Sequence, residues 1–314
     1  MKDILIGENL VIHTTNEWDP LKKVILGTAK NMNWPFRGKE YSHIPFPPGA
    51  IDKKILEESE IAMDAFQSVL EDLGVEVLRP IDQDYTKLNG FGAYSTRDCI
   101  LIVGNKVIFT PTRFRQRRVE WDALRSHIDV DIIKPPMTAV HSGELDPIFF
   151  DAANVIRCND DLLYLVSATG NMEGAKWLEK VLPDHNIHPI QNLYSGAHLD
   201  STIVPLREGL VMLNAGRANK THIPKFMRSW DKIWIQDEDI GEIEEDQHPH
   251  NQATKWIMMN ALSIDPNTII LNSYQKEIRK KLARYNIEVV PVDLPHTRYL
   301  QGGHHCVTLD LLRE

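Results

Sequence analysis

Cysteine is scarce: three residues, Cys99, Cys158 and Cys306, in a chain of 314. That is too few to staple a fold of this size, so a disulfide framework is excluded and a reducing, cytoplasmic setting is expected. No apolar run approaches the ~18 residues that a membrane-crossing helix needs. The N-terminal MKDILIGENLVIHTTNEWDP is too charged and broken for a signal peptide. Excess positive charge is also missing. The net charge of −9 argues against a nucleic-acid binder, whose phosphate contacts need a basic surface. The one basic cluster, RFRQRR (Arg113 to Arg118), is followed at once by Glu120 and Asp122, which predicts a salt-bridged, partly exposed helix. No Ser/Gly-rich linker divides the chain, so one domain over residues 1–314 is expected.

What is present is a loose repeat. Short apolar runs follow charged stretches at Val75 (VEVLRP), Val130 (VDIIKPP), Ile187 (IHPIQN), Lys232 (KIWIQD) and Ile287 (IEVVPVD). Their spacing is roughly 45–57 residues, the range of internal repeats. Three are preceded by amphipathic helical patterns: EESEIAMDAFQSVLEDLG, NMEGAKWLEKVLP and SYQKEIRKKLARYN. In the first, Ile61, Ala65, Phe66, Val69 and Leu73 fall on one face. THIPKFMRSW, before Lys232, predicts a shorter helix. Hairpins are expected in ILIVGNKVIFTP, in NVIRCNDDLLYLVS about Asn159-Asp160-Asp161, and in STIVPLREGLVMLN about Arg207-Glu208-Gly209. Each unit reads as hairpin, helix, strand. Five such units predict an α/β fold with radial repetition about an axis, against the alternative of an ordinary two-domain mixed sheet. The acidic DEDIGEIEEDQHPHNQ, Asp237 to Gln252, reads as a solvated loop, since the spacing of a calcium loop is absent.

The segment YLQGGHHCVTLD gathers Gly302, Gly303, His304, His305 and Cys306. Cys306 could be a buried strand residue, a metal ligand or a nucleophile. A metal site would need partners such as His198, Asp200, His248 or His250, and none forms a recognised zinc spacing. A nucleophile needs a histidine and an orienting acid. SGAHLDS supplies His198 and Asp200, two apart, which in a strand would share a face. PIFFDAANV places Asp151 in an apolar setting, where an unpaired carboxylate is costly. YSTRD supplies Asp98 just before CILIVG. Three acids and a histidine at strand starts predict one cavity. Carboxylates suit a guanidinium, whose donors form a fixed fork. Carboxylates also raise a thiol's pKa, and a bound guanidinium or a protonated histidine would offset that.

With these segments in view, NEWDPLKKVILG, YSTRDCILIVGN, RFRQRRVEWDALRS, FDAANVIRC, HLDSTIVPL and LQGGHHCVTLD together resemble the glycine/inosamine-phosphate amidinotransferase family, in the same order from about Asn16 to the C-terminus. The resemblance implies a five-bladed pseudo-symmetric α/β propeller of ββαβ units. It implies that Cys306 is the nucleophile, His198 the general acid/base, Asp151 its orienting acid, and Asp98 and Asp200 the guanidinium ligands. Arg217, in LNAGR, falls where the family grips the amino-acid carboxylate. Thr254 stands where a serine is common, and Ala253 replaces a second serine. The implied chemistry is ping-pong transfer from arginine through an amidino-cysteine, with ornithine released. The acceptor amine is glycine, giving guanidinoacetate, or a larger amine. Ser195-Gly196-Ala197 is smaller than in glycine-using vertebrate members, which leaves room. No metal or organic cofactor, nucleic acid or membrane is implied, and a homodimer is left open. The rival expectations are a guanidine hydrolase of the same superfamily, a non-catalytic metal-binding protein, and an inactive relative that only binds arginine.

Overall fold

The computed structural model describes residues 11–34, 50–137, 146–240, 248 and 250–314. Fifteen strands form five three-stranded sheets among these residues. In chain order they are β1 (Leu21–Leu26) and β2 (Glu76–Leu78); β3 (Ile100–Val103), β4 (Lys106–Phe109) and β5 (Ile132–Ile133); β6 (Val155–Cys158), β7 (Asp161–Leu165) and β8 (Asn186–Ile190); β9 (Ile203–Arg207), β10 (Leu210–Asn214) and β11 (Asp231–Ile235); β12 (Leu262–Asp265), β13 (Thr268–Leu271) and β14 (Glu288–Pro291); and β15 (Thr308–Arg313). In four sheets an antiparallel hairpin is followed by a third strand parallel to its second member. The fifth has the same pattern but is split: β15 pairs antiparallel with β1, and β2 lies parallel to β1. The expected five-unit α/β propeller is therefore present, closed by joining the two ends of the chain.

All five apolar runs that carry the sequence repeat are the third strands β2, β5, β8, β11 and β14. The three expected hairpins form, with left-handed turn residues at Gly104 (φ 56°), Asn159 (φ 60°) and Gly209 (φ 83°). Glycine and asparagine tolerate that conformation where a branched side chain does not. Two turns are a residue tighter than the sequence suggests, because Asp161 already pairs with Cys158 and Arg207 with Leu210. The hairpin β12–β13, about Pro266-Asn267, carries no strong sequence signal. The expected helix before Lys232 is only a 3₁₀ turn, Lys225–Ser229.

Helix α1 (Lys53–Asp72) starts at Asp52, whose side chain accepts from the Lys54 N–H. Its buried face is Ile55, Ser59, Glu60, Met63, Phe66 and Leu70. This corrects the expected stripe. Ile61 is 70% exposed and Leu73 38%, while the polar Ser59 and Glu60 are buried. Glu60 is inward because it accepts hydrogen bonds from Thr28 Oγ1 (2.8 Å), the Ala29 N–H (2.7 Å) and Arg79 (2.5 Å). A satisfied carboxylate outweighs an apolar pattern there.

Apolar clusters fill the spaces between neighbouring sheets. Where the sheets converge, the packing is ionic. Arg157, fully buried on β6, donates to Glu17 through Nε (2.8 Å) and Nη2 (2.7 Å) and to Asp310 Oδ2 (2.9 Å). Asp310, on β15, also accepts from Arg97 (2.5 Å) and Arg313 (2.8 Å). Burial alone would raise both carboxyls. Arg313, Arg97 and Arg157 instead hold Asp310 well below the usual range, and Arg157 and His305 do the same for Glu17.

Removing one member of a buried ion cluster leaves uncompensated charge, at a cost of about 3–5 kcal/mol. Asp310→Asn is expected to lose that amount in urea unfolding at neutral pH. The pH sign follows from the depressed carboxyls. Their contribution is complete above the unfolded value near ~4 and is lost as pH falls below it towards the folded value. The wild-type chain should therefore destabilise steeply below about pH 4, and Asp310→Asn less so.

Candidate active site

One end of the propeller carries a cavity of about 220 Å³. Its polar floor comes from equivalent places in the repeats, the few residues that lead into each sheet's first hairpin strand. Asp98 precedes β3, Asp151 lies just before β6, and Asp200 precedes β9. Asn260 precedes β12 and Cys306 precedes β15. Pseudo-symmetry thus delivers five chain segments to one point.

Cys306 sits in a turn, two residues before β15, rather than in the strand. Its N–H donates to Asn260 Oδ1 (2.8 Å), and its Sγ lies 3.4 Å from Asp200 Oδ2. Burial pushes the thiol pKa up, and Asp200 and Asp98 push it further. Gly302 and Gly303 are small because protein atoms crowd them. A Cβ on Gly302 would lie 2.8 Å from the Tyr94 ring, and one on Gly303 would lie 2.8 Å from Asn260 Cβ. Both glycines seat the turn against protein.

His198 and Asp200 converge on the cavity from a loop, not from the shared face of a strand. His198 Nε2 bonds Asp151 Oδ2 (3.0 Å), and Nδ1 lies 3.6 Å from Asp98 Oδ1. Burial would lower the imidazole pKa, but Asp98 and the bonded Asp151 outweigh it and raise it to about 9. At neutral pH the site holds a neutral thiol and an imidazolium.

The carboxylates are fixed from behind. Arg117 binds Asp98 Oδ2 and chelates Glu120, with its two nitrogens at 2.9 and 3.0 Å. The basic cluster is thus a 3₁₀ turn, Arg115–Val119, aimed inward; Asp98 and Asp146 take partner roles that the sequence suggested for Asp122. Asp200 is fixed by His305, whose Nδ1 bonds Asp200 Oδ2 (2.9 Å) and whose Nε2 bonds Glu17 Oε2 (3.2 Å). His304 points away, to the Val292 carbonyl (2.8 Å), edge-on to Phe66. Neither histidine joins a metal cluster: among the described residues, no group of three or more His, Cys, Asp or Glu could hold an ion. The His248 ring meets the Tyr299 ring at a tilt (4.3 Å, 60°) and neighbours His250. Residues 241–247 and 249 of the acidic segment lie outside the described residues. Its start is a 3₁₀ turn paired to Lys255 and Lys281, not a free solvated loop.

Two inner oxygens, Asp98 Oδ1 and Asp151 Oδ1, are buried without a hydrogen-bond partner among the described residues. Further out, Arg217 lies 3.8 Å over the Tyr194 ring and donates to Ser201 (3.2 Å), Thr202 (3.1 Å) and Thr254 (2.7 Å). It makes no salt bridge among the described residues. Ala253 lines the cavity and uses its backbone to hold Arg298. Of Ser195, Gly196 and Ala197, only Ala197 borders the cavity; Gly196 packs against Tyr194, beneath Arg217.

No protein-family model matches the sequence. Inosamine-phosphate amidinotransferase 1 of Streptomyces griseus is 36% identical over 96% of this chain and 97% of its own. The chain belongs to the amidinotransferase family. The mitochondrial glycine amidinotransferase of Danio rerio is 28% identical, over 98% of this chain and 84% of that protein. In structure, the Streptomyces griseus inosamine-phosphate amidinotransferase superposes with a TM-score of 0.85 over 96% of this chain and 97% of that one, at 34% identity. A dimethylarginine dimethylaminohydrolase superposes at 0.64 over 92% of this chain and 99% of its own, at 18% identity, which shows the shared fold alone. This amidinotransferase has no helix, among its described residues, long and apolar enough to cross a membrane.

The sequence alone assigns no place in the site to Arg117, Glu120, Glu17, Asn260 or Tyr194, and it marks His305 only as a supporting neighbour of Cys306 without a role. The Arg117/Glu120 pair at i, i+3 was the one signal available. His305→Gln leaves Asp200 and Glu17 buried without their shared cation. Its amidinotransfer rate should fall tenfold or more, and stability at pH 6 should fall by about 1–3 kcal/mol. His305 has a raised pKa, so its contribution is complete below the unfolded value of ~6.5 and fades as pH rises through the folded one. The gap between wild type and variant in urea unfolding should narrow at alkaline pH.

Proposed function

We propose that the amidino donor is arginine and that the amidino group passes through Cys306 to a primary amine. The observation that carries this reading is the set of inner carboxylate oxygens, Asp98 Oδ1 and Asp151 Oδ1, buried without a hydrogen bond among the described residues in the cavity that holds the thiol. Together with Asp200 they ask for a planar, multiply donating cation. Arg217 supplies the opposite requirement at the outer side. It is a guanidinium held by hydroxyls and an aromatic face, suited to a carboxylate. The distance between the two ends is bridged by an amino acid with a guanidinium tip.

In this mechanism Asp98 and Asp200 hold the guanidinium, and its charge lowers the thiol's pKa. Sγ forms a bond to the guanidino carbon, and the bond from that carbon to the ornithine nitrogen breaks. The His198 imidazolium gives its proton to the departing nitrogen and regains one as the thiol ionises. The net movement is of the thiol proton to ornithine. The cationic amidino-cysteine remains between the carboxylates. An acceptor amine then attacks the same carbon, the C–S bond breaks, and His198 carries the amine's proton back to sulfur. General acid/base assistance of this type is worth about 10²–10⁴-fold, and Asp151 keeps the ring in position for it. Ala197 supports an acceptor of glycine size or larger. A cytoplasmic working place belongs to the same reading, supported by three buried free thiols.

Incubation with arginine should add one amidino group to the intact protein and release ornithine; Cys306→Ser should give neither. His198→Asn should slow adduct formation by about 10²–10⁴-fold. Citrulline released from arginine without any amine would replace transfer by hydrolysis.

A further inference from the structure

We infer that Tyr194, its ring folded over Gly196, is a positioning residue that holds Arg217 as a charged receptor for the donor's α-carboxylate, and so sets a preference for arginine over agmatine, the same molecule without that carboxylate. This rests on the donor reading above and deepens it by naming what selects one end of that substrate. Arg217 follows β10 and borders the cavity. Its guanidinium carbon stands 3.8 Å over the Tyr194 ring. Nη1 donates to Ser201 (3.2 Å) and Thr202 (3.1 Å), and Nη2 donates to Thr254 (2.7 Å). These bonds do not use all of a guanidinium's N–H donors. Every support is neutral. A carboxylate in the place of one of them would take up the charge and compete with an incoming carboxylate. Hydroxyls and an aromatic face fix the guanidinium plane and leave its charge available.

Gly196 makes that placement of the ring possible. A Cβ on Gly196 would lie 2.1 Å from Tyr194 Cζ and Oη and 2.5 Å from Cε1. The ring, where it now lies, and a side chain at position 196 exclude each other. The backbone has little freedom to yield. The Gly196 carbonyl accepts from the Ala168 N–H (3.0 Å). The Ala197 carbonyl accepts from Ser167 Oγ (2.6 Å), Thr169 Oγ1 (3.1 Å) and Asn154 Nδ2 (3.3 Å). Gly196 is not among the glycines with a left-handed backbone, so alanine there meets a side chain and not a forbidden φ. The tip of the Tyr194 ring is what gives way, and it swings off Arg217. His198 follows in the same segment, beyond the pinned Ala197 carbonyl. A change at Tyr194 or Gly196 therefore reaches the carboxylate end of the cavity before it reaches the acid/base.

The experiment mixes the full chain with arginine or agmatine over a range of concentrations and follows amidino-Cys306 by intact mass in quenched samples. Wild type should load arginine about tenfold faster than agmatine or more, the worth of one hydrogen bond to a charged group. Tyr194→Leu should cut that ratio about tenfold, the scale of one cation–π contact. The loss should appear as a higher half-saturating arginine concentration and not as a slower saturated rate. Tyr194→Phe keeps the ring and should keep the ratio. Gly196→Ala should lower the ratio as Tyr194→Leu does, and it is the second variant should the first not fold. A fall for both donors alike overturns the inference, because that is the effect of disturbing His198 or the fold. A ratio unchanged in Tyr194→Leu and Gly196→Ala overturns it too. Wild type that loads the two donors equally overturns the inference together with the carboxylate role of Arg217, and leaves transfer through Cys306 standing. An adduct that never forms from arginine overturns the donor reading itself, so the failures are distinct.

Discussion

The Glu17–Arg157–Asp310 cluster is the constraint on which the rest of the molecule depends. A closed ring of five sheets has no covalent closure; the first sheet is assembled from both ends of the chain. Glu17 lies before the first strand, Arg157 in the third unit and Asp310 in the last strand. One arginine therefore ties together the two ends and the middle. Burying these charges is expensive, and their mutual attraction offsets that only when every partner is present. The same demand selects one arrangement of the ring: an arginine at the axis without both carboxylates would be worse than an apolar residue there.

This cluster reaches the chemistry through His305. The imidazole takes one carboxylate from the axis, Glu17, and one from the cavity, Asp200. Closure of the ring and placement of the carboxylate beside Cys306 are thus linked through one side chain. On the other side, Arg117 does the corresponding work for Asp98, and Glu120 behind it is so buried that its pKa rises to about 7 despite the arginine. Each cavity carboxylate commits one oxygen to a buried cationic support, and the other oxygen of Asp98 makes no hydrogen bond among the described residues, facing the His198 ring at 3.6 Å. The rigid floor needs no reorganisation when a cationic substrate arrives.

Much of this architecture is legible in the amino-acid sequence. The repeat is visible because every unit ends in a buried parallel strand, and buried parallel strands read as short apolar runs. Asp98, Asp151, His198, Asp200 and Cys306 can be grouped because polar residues stand just before such apolar runs. Orientation inside turns is not legible. His304 and His305 are adjacent to Cys306, yet one faces Val292 and the other faces Asp200 and Glu17. A strand or helix fixes where neighbours point; a turn does not. The split first sheet is hidden because its two hairpin strands are almost a chain length apart. In α1, Ile61 imitates a core residue while Glu60 is one, and only the partners Thr28, Ala29 and Arg79 distinguish them.

Under the proposed mechanism, the resting charge distribution would let the site hold a nucleophile without wasting it. Burial, then Asp200 and Asp98, push the Cys306 thiol pKa up, while Asp98 and Asp151 outweigh burial and raise that of His198 to about 9. Neither group is then in the state of a free thiolate–imidazole pair, so the cysteine is protected from indiscriminate alkylation and oxidation, which need thiolate. Only a ligand that brings positive charge between Asp98 and Asp200 reverses the balance. It compensates the carboxylates, lowers the thiol's pKa, and leaves the imidazolium readier to release its proton. In the proposed mechanism, selectivity for a guanidinium and activation of Cys306 would both be consequences of one electrostatic arrangement.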